Sequence, residues 1–437
     1  MKRIEAVILG YGDRSDKYAE YSLINPTEMS IIAVIDIEKY KLQKAREKFD
    51  LPNEALFESL EAFLAKKIKC DVVINGTMDN LHFETSMKLL KNGYNILLEK
   101  PITPNKKQLL AIRNAAKKYG CKVVVCHVLR YTPFYSKIKE IINSGEIGKI
   151  VDMQLNEHVW YGHFVNAFVR GKWNNEKKCG SGLLLQKCCH DTDLMCWLNN
   201  RTEPIYVSSF GQRAFFNEDN APKGATEYCY NCPNQDNCMF DAYKFELKMD
   251  AIPVYIWADL KKPIEEITDE EKIEYLKSNE YGKCVYKSSM DIVDRQCVSV
   301  SFKNGSIGTL TVVGGTSKPG RNIHIICEYG EIQGSVEENK IIYRKFNKNA
   351  TKEKYKKDED YYTDVEITPT IDVENKGNSV SGHYGGDYYI MKDLVRYLSG
   401  EKTSLSTTVI DDSVNSHLVC YGAEKSRIKR KVVKIKG

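Results

Sequence analysis

Ile4-Glu5-Ala6-Val7-Ile8-Leu9-Gly10-Tyr11-Gly12-Asp13-Arg14 opens the chain and decides how the rest of it is read. Ile4 to Leu9 is an apolar run of strand length, broken only by Glu5, and two glycines follow at once. Glycine allows a tight turn and lets a backbone approach a pyrophosphate closely. A helix beginning after Gly12 would aim its first amides at that anion. Ser15 stands where the third glycine of G-x-G-x-x-G belongs, so the stretch alone also fits an ordinary strand-to-helix turn.

The next apolar run, Ile31 to Ile35, ends in Asp36. An acid about twenty residues past the glycines is placed to accept bonds from adenine-ribose hydroxyls, and it repels a 2′-phosphate. This favours NAD over NADP. The plainer reading is that Asp36 caps a helix over 39–49. Further along, Val72–Ile74, Asn95–Leu98 and Lys122–Cys126 read as strands, and 83–92 and 106–119 read as helices. That alternation predicts an α/β fold whose first domain, residues 1–127, is a doubly wound parallel Rossmann sheet.

After Ser136 the pattern changes. A helix over 136–144 precedes strand-like runs at 149–156, 296–302, 308–313 and 322–329, with a hairpin-like turn at Lys303-Asn304-Gly305-Ser306. The expectation is a second α/β domain, residues 128–437, with an open, mostly antiparallel sheet and a Cys-rich insertion at about 209–290. Asn347 to Tyr362 is charged and reads as a surface excursion; Arg427 to Lys436 reads as a half-exposed edge strand.

The 437 residues are long for one domain. The net charge of +5, from 64 bases and 59 acids, is too slight to imply nucleic acid. No apolar stretch approaches the roughly 18 residues of a membrane span. Fourteen cysteines without a secretory signal read as reduced thiols, and the expected location is cytoplasmic.

Thr77-Met78-Asp79-Asn80-Leu81-His82 and Gly93-Tyr94-Asn95-Ile96-Leu97-Leu98-Glu99-Lys100-Pro101 resemble motifs of the Gfo/Idh/MocA oxidoreductases, the glucose–fructose oxidoreductase and inositol dehydrogenase group. The likeness continues through His127-Val128-Leu129-Arg130-Tyr131 and Asn143 to Gly148. It implies that Lys100 projects between nicotinamide and substrate, where an ammonium stabilises developing alkoxide charge and can relay a proton. It also implies a cofactor surface of Gly10, Gly12, Asp13, Arg14, Asp36, Thr77, His82, Glu99 and Lys100.

The stretch Gly180 to Asp193 resembles the family's glycine-rich turn and helix, which usually carries Asp-x-x-x-His. His190 matches the histidine, but Gln186 stands at the aspartate position and Lys187 follows it. Glutamine binds a hydroxyl but is no base. Proton abstraction is therefore assigned to His190, with Lys100 as electrostatic partner, Lys187 as a further catalytic or substrate-binding group, and Asp193 as the residue orienting the imidazole. Arg130, Tyr131, His163 and Gln186 complete the expected substrate set. Glu157, His158, Tyr161, Arg170, Trp173 and His383-Tyr384-Gly385-Gly386-Asp387 are further candidates.

Cys229-x₂-Cys232-x₅-Cys238 has the spacing of a thiolate clasp, and Cys284 is the candidate fourth ligand, so a structural zinc is expected in the insertion. The expected activity is NAD-dependent hydride transfer to or from a secondary hydroxyl of a sugar, polyol or glycoside. The alternative is redox-neutral glycoside cleavage through a transient keto-sugar. The family resemblance also implies a homo-oligomer. The particular sugar, the carbon oxidised and the direction are not readable.

Overall fold

The computed structural model describes residues 2–250, 252–350, 361–370 and 383–435. The first sheet is built from β1 (Ile4–Leu9), β2 (Met29–Ile35), β3 (Leu56–Phe57), β4 (Val72–Asn75), β5 (Ile96–Leu98) and β6 (Val123–Val125). Its order is β3-β2-β1-β4-β5-β6, and every pairing is parallel. Central strands of such a sheet are covered by helices on both faces, which is why β1 and β4 are apolar almost throughout. Helices over 39–49 and 106–119 fall where the sequence places them; Asn105 starts the latter by accepting from Lys107 N at 2.8 Å.

The second sheet has nine strands: β7 (Ile150–Trp160), β8 (Pro204–Gln212), β9 (Arg295–Phe302), β10 (Ile307–Thr316), β11 (Gly320–Cys327), β12 (Gly330–Ser335), β13 (Lys340–Phe346), β14 (Tyr362–Ile367) and β15 (Val433–Lys434). They lie in the order β14-β13-β12-β11-β7-β10-β9-β8-β15. All pairs are antiparallel except β7 with β10. Burial alternates along β9, so one face packs on the core and the other is open. The Cys-rich insertion lies in the connection between β8 and β9.

Two features differ from the expectations. The helix over 386–398 returns to the first domain, where Ile390 and Leu394 join its core, and the helix over 410–429 bridges the two cores, with Ile410 and Leu418 in the first and Val419, Cys420 and Ala423 in the second. The division at 127 therefore follows the chain but not the packing. The C-terminal basic stretch is helical to Lys429, and only Val433–Lys434 forms the edge strand; Lys436 lies outside the described residues. Residues 351–360 of the expected surface excursion also lie outside them, while Tyr362 opens β14.

The helix Leu183–Leu198 sits between the two domains, and every residue of it except Lys187 is buried. A helix apolar all round belongs in a core. This one carries His190, Asp191 and Asp193 into that core, and such groups need partners or a cavity.

Candidate active site

At the carboxyl ends of the first sheet's strands lies a cavity of about 280 Å³. In open α/β sheets ligands bind at this position. The turn after β1 forms its floor. Gly10 has φ +81°, and a Cβ there would lie 3.0 Å from Gly76 O and Thr77 N. The absent third glycine is explained by the same contact region. Ser15 is fully buried, and a Cβ on residue 76 would lie 1.9 Å from its Oγ, so Gly76 provides the room that Ser15 occupies. Gly12 precedes the helix Asp13–Ile24 and contributes no side-chain cap, leaving first-turn amides for an anion. Asp36 accepts from Tyr11 N at 2.7 Å and from Glu38 N at 2.9 Å. It thus ties the glycine turn to the end of β2, and its carboxylate retains acceptor capacity for a ribose. These residues fit a dinucleotide.

The Glu99-Lys100-Pro101 segment follows β5, with a cis peptide between Lys100 and Pro101. Glu99 accepts from Tyr18 OH at 2.6 Å, Arg14 Nε at 3.3 Å and Lys100 N at 2.7 Å. Arg14 also reaches Asp387 at 2.5 Å, so the late His383–Asp387 motif is stapled to the glycine turn. Lys100 Nζ donates to Gln186 O at 3.2 Å. Burial opposes its charge, but the fields of Cys189, Glu99 and Asp79 outweigh burial and hold its pKa above the ordinary lysine value. Lys100 is a cation at neutral pH.

His190 faces the same cavity. Burial first, then Lys100, His127 and His383, push its pKa well below the ordinary value, so the ring is neutral. Its Nδ1 is buried and has no hydrogen-bond partner among the described residues. The ring lies 6.2 Å from that of His383, whose Nδ1 is 3.1 Å from Asp387. His163 also lines the cavity and is held neutral by burial. Gln186 anchors its amide on Ser181 O at 2.7 Å, while its buried Oε1 has no hydrogen-bond partner among the described residues. Lys187 Nζ lies 3.4 Å from Glu157.

The structure thus brings Gly12, Asp13, Arg14, Thr77, Glu99, Lys100, His163, Gln186, Lys187 and His190 to one cavity. Other candidates go elsewhere. Arg130 and Asp193 form a buried two-pronged ion pair at 2.6 and 2.5 Å, and Tyr131 OH meets Thr408. None of the three lines the cavity, and Asp193 approaches His127 at 3.7 Å, leaving His190 without the expected orienting bond. A fully buried carboxylate needs its guanidinium more than a distant ring. His82 spends both ring nitrogens on Pro101 O (2.8 Å) and Thr77 O (2.9 Å), pinning two cavity loops from behind. Arg170 pairs with Glu246 at 3.0 Å, inside the insertion.

The zinc expectation is not met. Among the described residues no group of three or more His, Cys, Asp or Glu is arranged to hold a metal. Cys229, Cys232, Cys238 and Cys284 do line one small cavity of about 20 Å³, because Tyr228 bridges to Lys283. One of the four, Cys229, accepts from Arg170 Nη2 through its Sγ at 3.6 Å. Burial raises the Cys229 and Cys238 thiols above their ordinary pKa, whereas at Cys232 burial is outweighed by hydrogen bonds from Thr226 and Asn234, which lower it.

Sequence reasoning missed Arg321, Lys172, Tyr255 and Asp79, all of which line the cavity. Asp79 stood inside a quoted motif. Arg321, at the start of β11, and Tyr255, in the insertion, carry no local signal.

Fold and site together define an NAD-binding oxidoreductase. Residues 4–127 match the model described as "Oxidoreductase family, NAD-binding Rossmann fold", and residues 135–231 match the "GFO/IDH/MocA C-terminal domain". The chain belongs to the Gfo/Idh/MocA family of oxidoreductases. It is 25% identical over 379 residues to the putative oxidoreductase YteT of Bacillus subtilis, covering 84% of this chain and 82% of that one. It is 23% identical over 211 residues to scyllo-inositol 2-dehydrogenase (NADP(+)) IolW of the same organism, covering 48% and 56%. Levoglucosan dehydrogenase in complex with NADH shares the fold, with TM-score 0.70, 14% identity and 99% of each chain covered. Among the described residues, no helix is long and apolar enough to cross a membrane.

Proposed function

We propose that the protein is an NAD-dependent dehydrogenase that moves hydride to or from a secondary hydroxyl carbon of a sugar, polyol or glycoside. The observation that carries this reading is the meeting of Lys100 and a neutral His190 at one cavity beside the glycine turn. When bound, nicotinamide supplies the hydride acceptor or donor. The chain does the rest. His190, neutral and lining the cavity, takes the hydroxyl proton as the carbon–hydrogen bond breaks. Lys100, steadied by Gln186 O, lies where charge develops on the substrate oxygen and stabilises it. Lys187, which lines the same cavity, holds a further substrate group.

On the cofactor side, the first-turn amides after Gly12 carry the pyrophosphate, and Asp36 holds the ribose and disfavours a 2′-phosphate. Asp13, Arg14, Thr77 and Glu99 shape the cleft around the nicotinamide half. The open face of the second sheet exposes Val151, Tyr206, Phe210 and Ile307, which supports pairing of copies through that face.

The test incubates purified protein with NAD and a panel of sugars, polyols and aryl glycosides, following NADH and aglycone together. NADH accumulation supports the reading. Aglycone release without net NADH assigns the redox-neutral route instead. Neither signal, in protein shown to bind NAD, overturns the enzymatic reading.

A further inference from the structure

The cavity's two walls differ in charge. The first domain contributes Asp13, Asp79 and Glu99 together with Arg14 and Lys100. From the second domain, the charged lining residues among those described are Lys172, Lys187 and Arg321, and none is a carboxylate. His163, His190 and His383 on that wall are all held below their ordinary pKa, by burial first. A neutral polyol needs no such wall, because hydroxyls are served as well by amides and neutral imidazoles.

The two inner cations are built in. Arg321 Nε lies 2.6 Å from Glu157 and 3.0 Å from Asp191, both of which sit behind it and away from the cavity. Glu157 also backs Lys187, at 3.4 Å. These anions fix the cations in place and offset the cost of burying them. They leave donors over. Only Nε of Arg321 is engaged, and neither terminal nitrogen bonds any described residue. Lys187 Nζ makes no hydrogen bond to a described residue and is partly open to the cavity. A guanidinium fork beside an ammonium, on a wall to which no described second-domain residue contributes a carboxylate, has the donor set of a carboxylate site.

We propose that the substrate carries a carboxylate, as a uronate or aldonate sugar does, and that Lys187 and Arg321 receive it while Lys100 and His190 work on a hydroxyl of the same molecule. This rests on the dehydrogenase reading and names its substrate class. The cavity volume suits one sugar unit beside a nicotinamide. Lys172, with Nζ 4.4 Å above the Trp173 ring, adds positive field on the same wall.

The test uses matched pairs with NAD: glucuronate against glucose, galacturonate against galactose, gluconate against sorbitol. The acid member should win in kcat/KM by about tenfold to a hundredfold, the worth of a charge-assisted contact. Lys187→Met should collapse that preference chiefly through KM for the acid. Arg321→Met strands two buried carboxylates and can fail to fold, so Arg321→Lys, which keeps the charge and loses the fork, is the second variant; it should also narrow the preference. Neutral members used as well as the acids overturns the proposal. Should no pair be oxidised, the dehydrogenase reading falls on its own. Calorimetric titration of the NADH-loaded protein then decides: tighter binding of the acid in each pair, lost in Lys187→Met, upholds the carboxylate site, and equal binding overturns it.

Discussion

The first-domain wall of the cleft sets Asp13, Asp79 and Glu99 beside Arg14 and Lys100, whereas the second-domain wall offers Lys172, Lys187 and Arg321. The first wall is assembled from three turns that follow β1, β4 and β5, and much of its work is done by backbone. The second is assembled from side chains of the segment 163–173 after β7, the central helix, β11, the insertion and the His383 turn. A dinucleotide is recognised mainly through its pyrophosphate and ribose, which backbone amides and one acid can serve. A substrate is recognised through individual polar groups, each needing its own side chain. One wall can therefore be conserved in shape by short motifs, while the other is free to change its charge.

The largest effect expected lies where the walls meet. Lys100→Ala and His190→Ala should each lower kcat by about 10²–10⁴-fold, with NAD affinity within a few-fold of wild type, measured by steady-state kinetics and by titration. Turnover near wild type in either variant would remove that residue from the chemistry. Next comes the cofactor wall alone. Asp36→Ala should weaken NAD about tenfold or more and narrow its margin over NADP; tighter NADP binding by the wild type would refute the ribose assignment. It also frees Tyr11 N, so part of the loss reports the turn itself.

A smaller effect tests the packing beneath that wall. Gly76→Ala should cost about 1–3 kcal/mol, because its Cβ meets Ser15 Oγ. Adding Ser15→Gly should return part of the loss, and thermal melts of the four-member cycle measure the coupling. The smallest effect concerns the second wall. His163 and His190 are held neutral by burial, so their folded pKa values lie well below the ordinary 6.5. Below that value the unfolded chain takes up protons that the folded chain refuses. Their contribution to stability is therefore present above about pH 6.5 and is lost as pH falls through the window below it. The melting temperature should drop between about pH 7 and about pH 5, and His163→Gln should flatten the slope. An unchanged slope would mean that His163 is protonated in the folded state.

The legible part of this protein was local. β1, the helices over 39–49 and 106–119 and the turn at Gly10 fall within a residue of where the sequence placed them, because burial on both faces, strand length and glycine leave few alternatives. Lys100 and His190 were legible as motif positions, and both face the cavity. Arg130, Tyr131 and Asp193 carried equally strong motif signals and yet form a buried brace, since a sequence shows which polar groups are present and not which of them find one another. The same holds for Cys229, Cys232, Cys238 and Cys284, whose spacing suggested an ion while Arg170 donates to one of them.

By itself, then, the sequence determined the parallel sheet, its glycine turn and two residues, Lys100 and His190, that face the cavity, because each is carried by a short stretch of chain. Only the tertiary structure decided that the helix over 386–398 completes the first core while that over 410–429 bridges both, that Gly76 makes room for Ser15, and that Arg321 joins Lys187. Those are pairings across tens to hundreds of residues, fixed by which buried surfaces and charges satisfy one another once the chain has folded.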